Sequence, residues 1–250
     1  MAKKTDSPVD IAPFLRELQQ LRNAERAIAD QHYHKSSREH WGVSVPECDK
    51  LTRTLSKGFA NSELLLIAKV LWETDLFDLM VCAAKILTLP RLSPSPALWN
   101  MILHFLKRVD GWALEDHLAH AAWKCVLANE CLLDEIEEWT NHSNFWMRRA
   151  ALVYTLPFAK PGHNPEKMLR WASGYARDPE WFIQKAIGWW LRVLGKHNPE
   201  RVSIFLSSHW KELKSVARKE ATRKLSAEWQ ERILQFQAAK QSITEHKSGR

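Results

Sequence analysis

Nearly every segment of this chain repeats its apolar residues at intervals of three and four positions, which is the spacing of one face of an α-helix. No run alternates apolar and polar residues between turn signals, and the 8 glycines are few for a sheet protein. The one Asp-Gly pair, Asp110-Gly111, precedes a helical segment and does not link two strands. The pattern therefore predicts an all-α fold.

Proline followed by glutamate marks the predicted start of four helices, at Pro46-Glu47, Pro165-Glu166, Pro179-Glu180 and Pro199-Glu200. Proline suits the first helical position because the N–H that it lacks would have no partner there. An acid in the first turn is stabilised by the positive end of the helix dipole. Three of the four pairs follow Asn or Asp, which cap helices well. The predicted helices are 9–30, one opened by the turn at 42–47, 61–74, 76–89, 96–107, 112–128, 132–140, 145–158, 166–175, 180–194, 200–208 and 211 to about 240.

Short helices joined by short links, each apolar on one broad face, favour stacked antiparallel pairs. We therefore predict an α-solenoid of the HEAT or armadillo kind, with a concave face built from one helix of each pair. The sequence shows no strict repeat, so a compact helical bundle is the alternative. The predicted organisation is a disordered N-terminus at 1–8, a single HEAT-like domain at 9–230, and a helix end with a basic, partly disordered tail at 231–250.

The net charge of +7 is concentrated near the C-terminus. From Arg201 onward there are 11 Lys and Arg against 5 Asp and Glu, whereas the first 200 residues carry 25 against 24. A basic region on a near-neutral body indicates a surface that meets polyanions, of which nucleic acid is the commonest. The alternative is a solvated surface helix with a frayed end.

Several classes of protein are disfavoured by the sequence. No run approaches eighteen apolar residues and the N-terminus has no signal-peptide pattern, so we expect a cytoplasmic protein without membrane contact. The 4 cysteines form no CxxC pair, which indicates small buried hydrophobes in a reducing compartment. His32 and His34 lack a third ligand at suitable spacing, so no metal is expected. A Ser-His or Cys-His hydrolase has no supporting turn motif, and the absence of a Gly-rich phosphate loop disfavours nucleotide use.

The most unusual stretch is 109–123, in which Trp112, Asp116, Ala119 and Trp123 follow one another at steps of four, three and four. This spacing places two indole rings and one carboxylate on the same helical face. Aspartate is almost never buried without a partner, so a carboxylate between two tryptophans indicates a site for a cationic group. The alternative is that Asp116 caps a helix or pairs with an arginine of a neighbouring helix.

Two other segments combine aromatic and basic residues. In 144–151, Arg149 lies one turn beyond Phe145 and Trp146, and in 178–192 one stripe carries Trp181, Lys185 and Arg192, with Trp189 beside it. Most of the 13 tryptophans must belong to the core. Rings interleaved with cations nevertheless suit a nucleic-acid groove, because the cations meet phosphates and the rings meet bases or sugars. Arg149 has an alternative as well, since it could pair with one of the acids in 134–138.

Three segments, D-G-W-A-L-E-D, N-F-W-M-R-R-A-A and W-F-I-Q-K-A-I-G-W-W-L-R, resemble the AlkD-type DNA alkylation-repair glycosylases in order and spacing. The resemblance spans residues 10 to 230 and implies a HEAT-like α-solenoid. It also implies hydrolysis of the N-glycosidic bond of N3- and N7-alkylated purines, such as 3-methyladenine and 7-methylguanine, without base flipping. By position, the catalytic Trp-Asp pair falls on Trp112 and Asp116, the catalytic-site arginine on Arg149, the third cleft aromatic on Trp189, and a DNA-facing aromatic on Tyr33. Ser44 departs from the polar amide of some relatives.

The predicted function is thus a monomeric glycosylase, free of metal and cofactor, that acts on double-stranded DNA containing alkylated purines. We expect Asp116 to stabilise the sugar cation and to position water, Trp112 to line the lesion, and Arg149 to hold a backbone phosphate. The residues expected to bind the DNA are Tyr33, Arg148, Trp181, Lys185, Trp189 and Arg192. Two alternatives are a non-catalytic relative that binds branched or distorted DNA and a helical-repeat adaptor for proteins.

Overall fold

The structure is a computed structural model that describes residues 10–248, with side chains described as far as residue 239. Over this range the fold is all-α and contains no strand. The helices are α1 (Ala12–Gln20), α2 (Ala24–His34), α3 (Val45–Ser56), α4 (Asn61–Glu73), α5 (Phe77–Thr88), α6 (Pro96–Leu106), α7 (Trp112–Ala128), α8 (Leu132–Trp139), α9 (Phe145–Val153), a 3₁₀ helix (Leu156–Ala159), α10 (Glu166–Gly174), α11 (Trp181–Leu194), α12 (Pro199–His209), α13 (Ser215–Thr222) and α14 (Ala227–Ser248).

The chain divides into two compact units, Met1–Glu130 and Cys131–Arg250. Between residues 10 and 248, no helix has both the length and the apolar character that a bilayer crossing requires. The disorder expected at 1–8 concerns residues outside the described range. The single HEAT-like domain predicted for 9–230 stays a prediction.

In the first unit, α3, α5 and α7 pack side by side, while α4 and α6 pack against α5 and α7. The backbone N–H of Val43, just before α3, donates to Asp78 at the start of α5 at 2.7 Å. At the other end, Arg91 donates to the carbonyl of Phe59 at 2.8 Å and to that of Ser56. The contacts thus join the start of α3 to the start of α5 and the end of α3 to the end of α5. The two helices therefore run parallel. The predicted antiparallel pairing applies to α4 and α5, where Asn61 at the start of α4 donates to the carbonyl of Arg91 at 3.0 Å.

Cationic side chains satisfy the ends of these helices. The Lys124 ammonium on α7 donates to the carbonyls of Leu87, Leu89 and Leu92 at 3.0, 3.2 and 3.0 Å. The last carbonyls of a helix have no partner within it and carry partial negative charge, so a cation there is stabilising. Burial lowers the pKa of Lys124, which is the cost of bringing the ammonium to this position.

In the second unit, α11 packs against both α9 and α13, and α14 packs against α12. The close approach of α11 and α13 depends on Gly188, where a Cβ atom would lie 2.8 Å from the carbonyl oxygen of Ala217. The buried amide of Gln184 ties the same elements together. Its Nε2 donates to the carbonyls of Tyr175 and Asp178 at 3.1 Å, and its Oε1 accepts from the N–H of Lys214 at 2.9 Å.

The first predicted helix, 9–30, is wrong as a single element. Within the described residues it is α1 and α2, because the Asn23 side chain accepts from the N–H of Arg26 at 2.9 Å and begins a new helix. Phe14 and Leu18 on α1 are fully buried, whereas Ile28 on α2 is 73% exposed.

Two other predicted helices are interrupted. The helix predicted at 145–158 ends at Val153 and is followed by the 3₁₀ helix, which contains Pro157. The helix predicted from 211 to about 240 is two helices, α13 and α14, with the buried Leu225 between them. The predicted cap at Asn198 is confirmed, since its side chain accepts from the N–H of Arg201 at 3.1 Å. Helix α11 begins at Trp181, so Pro179 precedes the helix and does not occupy its first position.

Candidate functional site

The candidate site in the first unit is at the start of α7. Gly111 is the N-cap and Trp112 is the first helical residue, with its indole half-buried. The ring of Tyr33 meets the indole edge to face, with ring centroids 5.3 Å apart, and His34 does so at 5.5 Å. The structure therefore brings the predicted Tyr33 to the predicted Trp112, and Tyr33 keeps 67% of its surface exposed.

A cluster of two imidazoles and one phenyl ring packs behind Tyr33 and Trp112. The rings of His34 and His40 both pack against Phe77, with centroid distances of 4.6 and 4.1 Å. The two imidazoles are also 3.3 Å apart from Nδ1 of His34 to Nε2 of His40. Burial, with a further contribution from His40, lowers the pKa of His34. The cluster thus supports Trp112 from behind with an imidazole that is neutral at pH 7.

Arg38 fixes the turn that leads into α7. Its buried guanidinium binds Asp75 at 3.0 Å, binds Asp110 as well, and donates to the carbonyl of Arg108 at 2.8 Å. Asp75 belongs to the α4–α5 turn and has a positive φ of 59°. One side chain therefore joins the turns before α5 and α7, and it sets the position from which Trp112 begins its helix.

Asp116 lies one turn after Trp112 on α7 and is half-buried. Burial first, and then Lys85, His120 and His34, lower the pKa of the adjacent His117 to about 3. Burial also lowers the pKa of His120, although Asp116 acts in the opposite direction. His117 and His120 are therefore neutral at pH 7, so neither imidazole places a positive charge beside the carboxylate.

Ser44 is used as a helix cap. Its hydroxyl oxygen accepts from the N–H of Glu47 at 3.4 Å, and its backbone N–H donates to the Glu47 carboxylate at 3.0 Å. This reciprocal capping box starts α3. It gives a structural reason for serine at this position, independent of any contact with DNA.

In the second unit, Arg149 is on α9 and only 3% exposed. Its guanidinium carbon lies 6.0 Å from the ring centroid of Trp146, which packs against Phe182 of α11 at 5.1 Å. The neighbouring Arg148 faces the loop before α9. It binds Asp178 at 3.1 Å and donates to the carbonyl of His142 at 2.9 Å. These contacts give Arg148 a structural role.

Lys185 and Arg192 of α11 share one carboxylate. Glu220 of α13 binds the Lys185 ammonium at 2.7 Å and the Arg192 guanidinium at 2.5 Å. Although burial acts in the opposite direction, the two cations lower the pKa of Glu220, so the group of three carries one net positive charge. Trp181 at the start of the same helix is 50% exposed, and Trp189 is half-buried.

The sequence pattern does not indicate that Arg38 and Glu220 support the site. Arg38 binds Asp75 across 37 positions, and Glu220 binds Lys185 across 35. The spacing of residues within one helix does not predict contacts between residues so far apart in the sequence. Among residues 10–248, no group of three or more His, Cys, Asp or Glu side chains is placed to hold a metal ion.

Known proteins resemble the chain in sequence and in fold. The family described as "DNA alkylation repair enzyme" matches residues 14–225 of the chain. Among solved structures, a predicted DNA alkylation repair enzyme from Enterococcus faecalis is 23% identical, with a TM-score of 0.70 over 82% of this chain and 97% of that chain. AlkD2 from Streptococcus mutans is 21% identical, with a TM-score of 0.58 over 82% of this chain and 100% of that one. At these identities the likeness shows the fold. Among curated proteins, no sequence matches the chain.

Proposed function

Since the chain belongs to the DNA alkylation repair enzyme family, we propose that it is a DNA glycosylase that removes cationic N3- and N7-alkylated purines from duplex DNA. The observation that carries this proposal is the start of α7. There a half-buried carboxylate, Asp116, follows a tryptophan whose ring is contacted by Tyr33 and His34. A negative charge beside aromatic rings suits a substrate that is itself cationic.

The chemistry needs only a fixed negative charge and a water molecule. An alkylated purine carries a positive charge and leaves readily, so the N-glycosidic bond breaks through an oxocarbenium-like sugar. Asp116 stabilises that sugar and orients the water that attacks it. A carboxylate about 4 Å from the developing charge contributes roughly 4 kcal/mol at an intermediate dielectric, which corresponds to about three decades of rate.

The aromatic residues bind the lesion. The face of Trp112 attracts a cationic purine by about 0.5 to 2 kcal/mol. Tyr33 holds that ring edge-on and keeps most of its own surface free for the DNA. We assign a similar lesion-lining role to the half-buried Trp189 and a DNA-stacking role to the exposed Trp181.

The cations hold the phosphates. We assign Arg149 to a backbone phosphate near the lesion, because a planar guanidinium binds phosphate oxygens in pairs. Lys185 and Arg192, held in place by Glu220, present one net positive charge to the same polyanion. Arg148 is left out of the proposed site, because Asp178 and the carbonyl of His142 occupy its guanidinium.

The test is base release from a duplex that contains a single 7-methylguanine, measured by mass spectrometry of the free base against a sample without protein. We expect first-order release by the natural chain and a loss of about a thousandfold in Asp116→Asn, which keeps the shape and removes the charge. Asp49→Asn is the matched control, because Asp49 pairs only with the exposed Arg53 among the contacts described for it.

Each outcome has a definite meaning. Release that is equal in the natural chain and in Asp116→Asn would remove the role given to Asp116. No release, with retained binding to the duplex, would support a non-catalytic DNA-binding relative instead. No release and no salt-dependent binding would favour a protein adaptor.

A further inference from the structure

Three polar side chains joined by hydrogen bonds link α10 to the end of α12. The hydroxyl oxygen of Ser173 lies 3.0 Å from Nε2 of His209, and Nδ1 of the same imidazole lies 2.9 Å from the Glu212 carboxylate. This places a hydroxyl, an imidazole and a carboxylate in series. None of these side chains belongs to α2, α7, α9 or α11, which carry the DNA-contacting residues of the proposed glycosylase.

The direction of the hydrogen bonds follows from the carboxylate. Glu212 can only accept, so the neutral imidazole carries its hydrogen on Nδ1 and turns the Nε2 lone pair toward the Ser173 hydroxyl. The hydrogen bond from His209, and then the contact with Arg177, lower the pKa of Glu212 and keep it ionised. A nucleophile bonded to a base that a third group orients is the arrangement of serine hydrolases.

Ser173 and His209 also line a cavity of about 340 Å³. Its other lining residues are Leu169, Arg170, Arg201, Ile204, Phe205 and Ser208. The apolar residues among them suit a small acyl group. Glu166 holds Arg201 at 2.8 and 2.9 Å. Arg170, which is exposed and lies one turn before Ser173 on α10, lines the same cavity and gives it a second cation.

We propose that Ser173, His209 and Glu212 form a second reactive site, which cleaves esters of small apolar carboxylic acids. The Ser173 oxygen attacks the carbonyl carbon and its proton passes to Nε2 of His209. The bond to the leaving alkoxide breaks, the alkoxide takes that proton, and the acyl group remains on Ser173. Water then attacks the acyl-serine, its proton passes through His209 back to the serine oxygen, and the carboxylic acid leaves. Glu212 is a positioning residue that holds the imidazole.

The first test is covalent labelling of the full chain by an alkyl fluorophosphonate, read by intact mass and by peptide mapping. We expect one label, on Ser173, and no label in Ser173→Ala. Ser208→Ala is the matched control, because Ser208 lines the same cavity but its hydroxyl donates to the carbonyl of Ile204 at 3.1 Å. Absence of a label on the natural chain, or a label that persists in Ser173→Ala, would overturn the proposal.

The second test is hydrolysis of p-nitrophenyl butyrate. We expect turnover to be lost in Ser173→Ala, to fall about tenfold or more in Glu212→Gln, and to be partly rescued in Glu212→Asp. Equal rates in the natural chain, Ser173→Ala and Glu212→Gln would contradict the site.

Release of 7-methylguanine should be the same in Ser173→Ala as in the natural chain. Thermal unfolding of each variant identifies any loss that comes from misfolding. Failure of the ester site and failure of the proposed glycosylase are therefore distinguishable.

Discussion

Among single residues, Arg38 contributes to the candidate site without belonging to its surface. Its guanidinium uses separate nitrogens for Asp75, Asp110 and the carbonyl of Arg108, and its side chain is only 8% exposed. A lysine has the same charge but not the planar fork, so it cannot serve three partners in these directions. The position of Trp112 at the start of α7 thus depends on a residue 74 positions earlier in the chain.

We expect Arg38→Lys to lower the free energy of unfolding by about 1 to 3 kcal/mol, because it leaves part of a buried hydrogen-bonded group unsatisfied. Base release should fall as well, since the start of α7 is no longer held. The control is Arg53→Lys, whose exposed ion pair with Asp49 should change stability by less than about 1 kcal/mol. Denaturant unfolding and the 7-methylguanine assay measure the two effects. Equal losses in both variants would contradict the role given to Arg38.

His117 makes stability depend on pH. Burial lowers its pKa from 6.5 to about 3 in the folded chain, so between these values the unfolded chain binds the additional proton. The contribution to stability is therefore present above pH 6.5 and is lost as the pH falls toward 3, at up to about 1.4 kcal/mol per pH unit. We expect His117→Gln to flatten the pH dependence of the unfolding free energy between pH 7 and 4.5. A natural chain and variant with parallel curves would show that His117 is not neutral in the fold.

The sequence indicates which side chains share one face of a helix, but not which partners reach them from other helices. The i, i+4 spacing of Trp112 and Asp116 was visible because one helix carries both. The surroundings of Lys185 and Arg192 were not visible, because Glu220 reaches them from a different helix. A pair of cations on one stripe predicted two free phosphate ligands, whereas the structure shows two cations that share a carboxylate.

At the level of elements, a helix is predicted well when the signals for its start and end lie within its own segment of the sequence. Helix α7 has the predicted bounds, because its periodicity is unbroken between Gly111 and Asn129. The break between α1 and α2 was missed, because Asn23 is a cap only when the backbone around it leaves the helical conformation. The Ser173–His209–Glu212 series was missed because its first contact crosses 36 positions and no turn motif marks the serine.

Helix α14 extends beyond the matched family region, which ends at residue 225. It packs on α12 through the fully buried Ile233 and through Gln237, whose amide donates to the carbonyl of Ser207 at 3.0 Å. The helix is therefore an integral part of the second unit, and its removal would expose the surface of α12 that it covers.

The contact between α11 and α13 gives an element-scale prediction. A Cβ at Gly188 would lie 2.6 Å from Cβ of Glu220 and 2.8 Å from the carbonyl oxygen of Ala217, so the two helices would have to separate. We expect Gly188→Ala to destabilise the chain by about 1 to 3 kcal/mol. The control is Gly174→Ala in α10, where a Cβ meets nothing within 4 Å and where alanine should be neutral or stabilising by up to about 1 kcal/mol. Thermal unfolding of both variants provides the comparison, and an unaffected Gly188→Ala would contradict the tight packing of the helices.

For the whole molecule, the distribution of charge decides how DNA affinity responds to salt. The excess of Lys and Arg beyond residue 200 is uneven, since residues 227–250 hold 4 cations against 3 acids. In that part, Arg232 lies 3.1 Å from Glu228. Residues 201–226 hold 7 cations against 2 acids, and they include α13, which packs against the helix that carries Lys185 and Arg192. We infer that α13 and its flanks, and not the end of the chain, form the polyanion-binding surface.

This inference is tested by two sets of four charge-removing substitutions to glutamine. The first set is Lys211, Lys219, Arg223 and Lys224, all exposed. The second set is Arg232, Lys240, Lys247 and Arg250.

Each phosphate contact contributes about 0.9 to the slope of log affinity against log salt, so the first set should reduce that slope by about two to four. The second set should change it by less than about one, because the acids of that region already offset its cations. Both proteins have the same net charge, so a general charge effect would lower the two slopes equally and contradict the localised surface. Fluorescence anisotropy with an unmodified duplex at several salt concentrations measures the slopes.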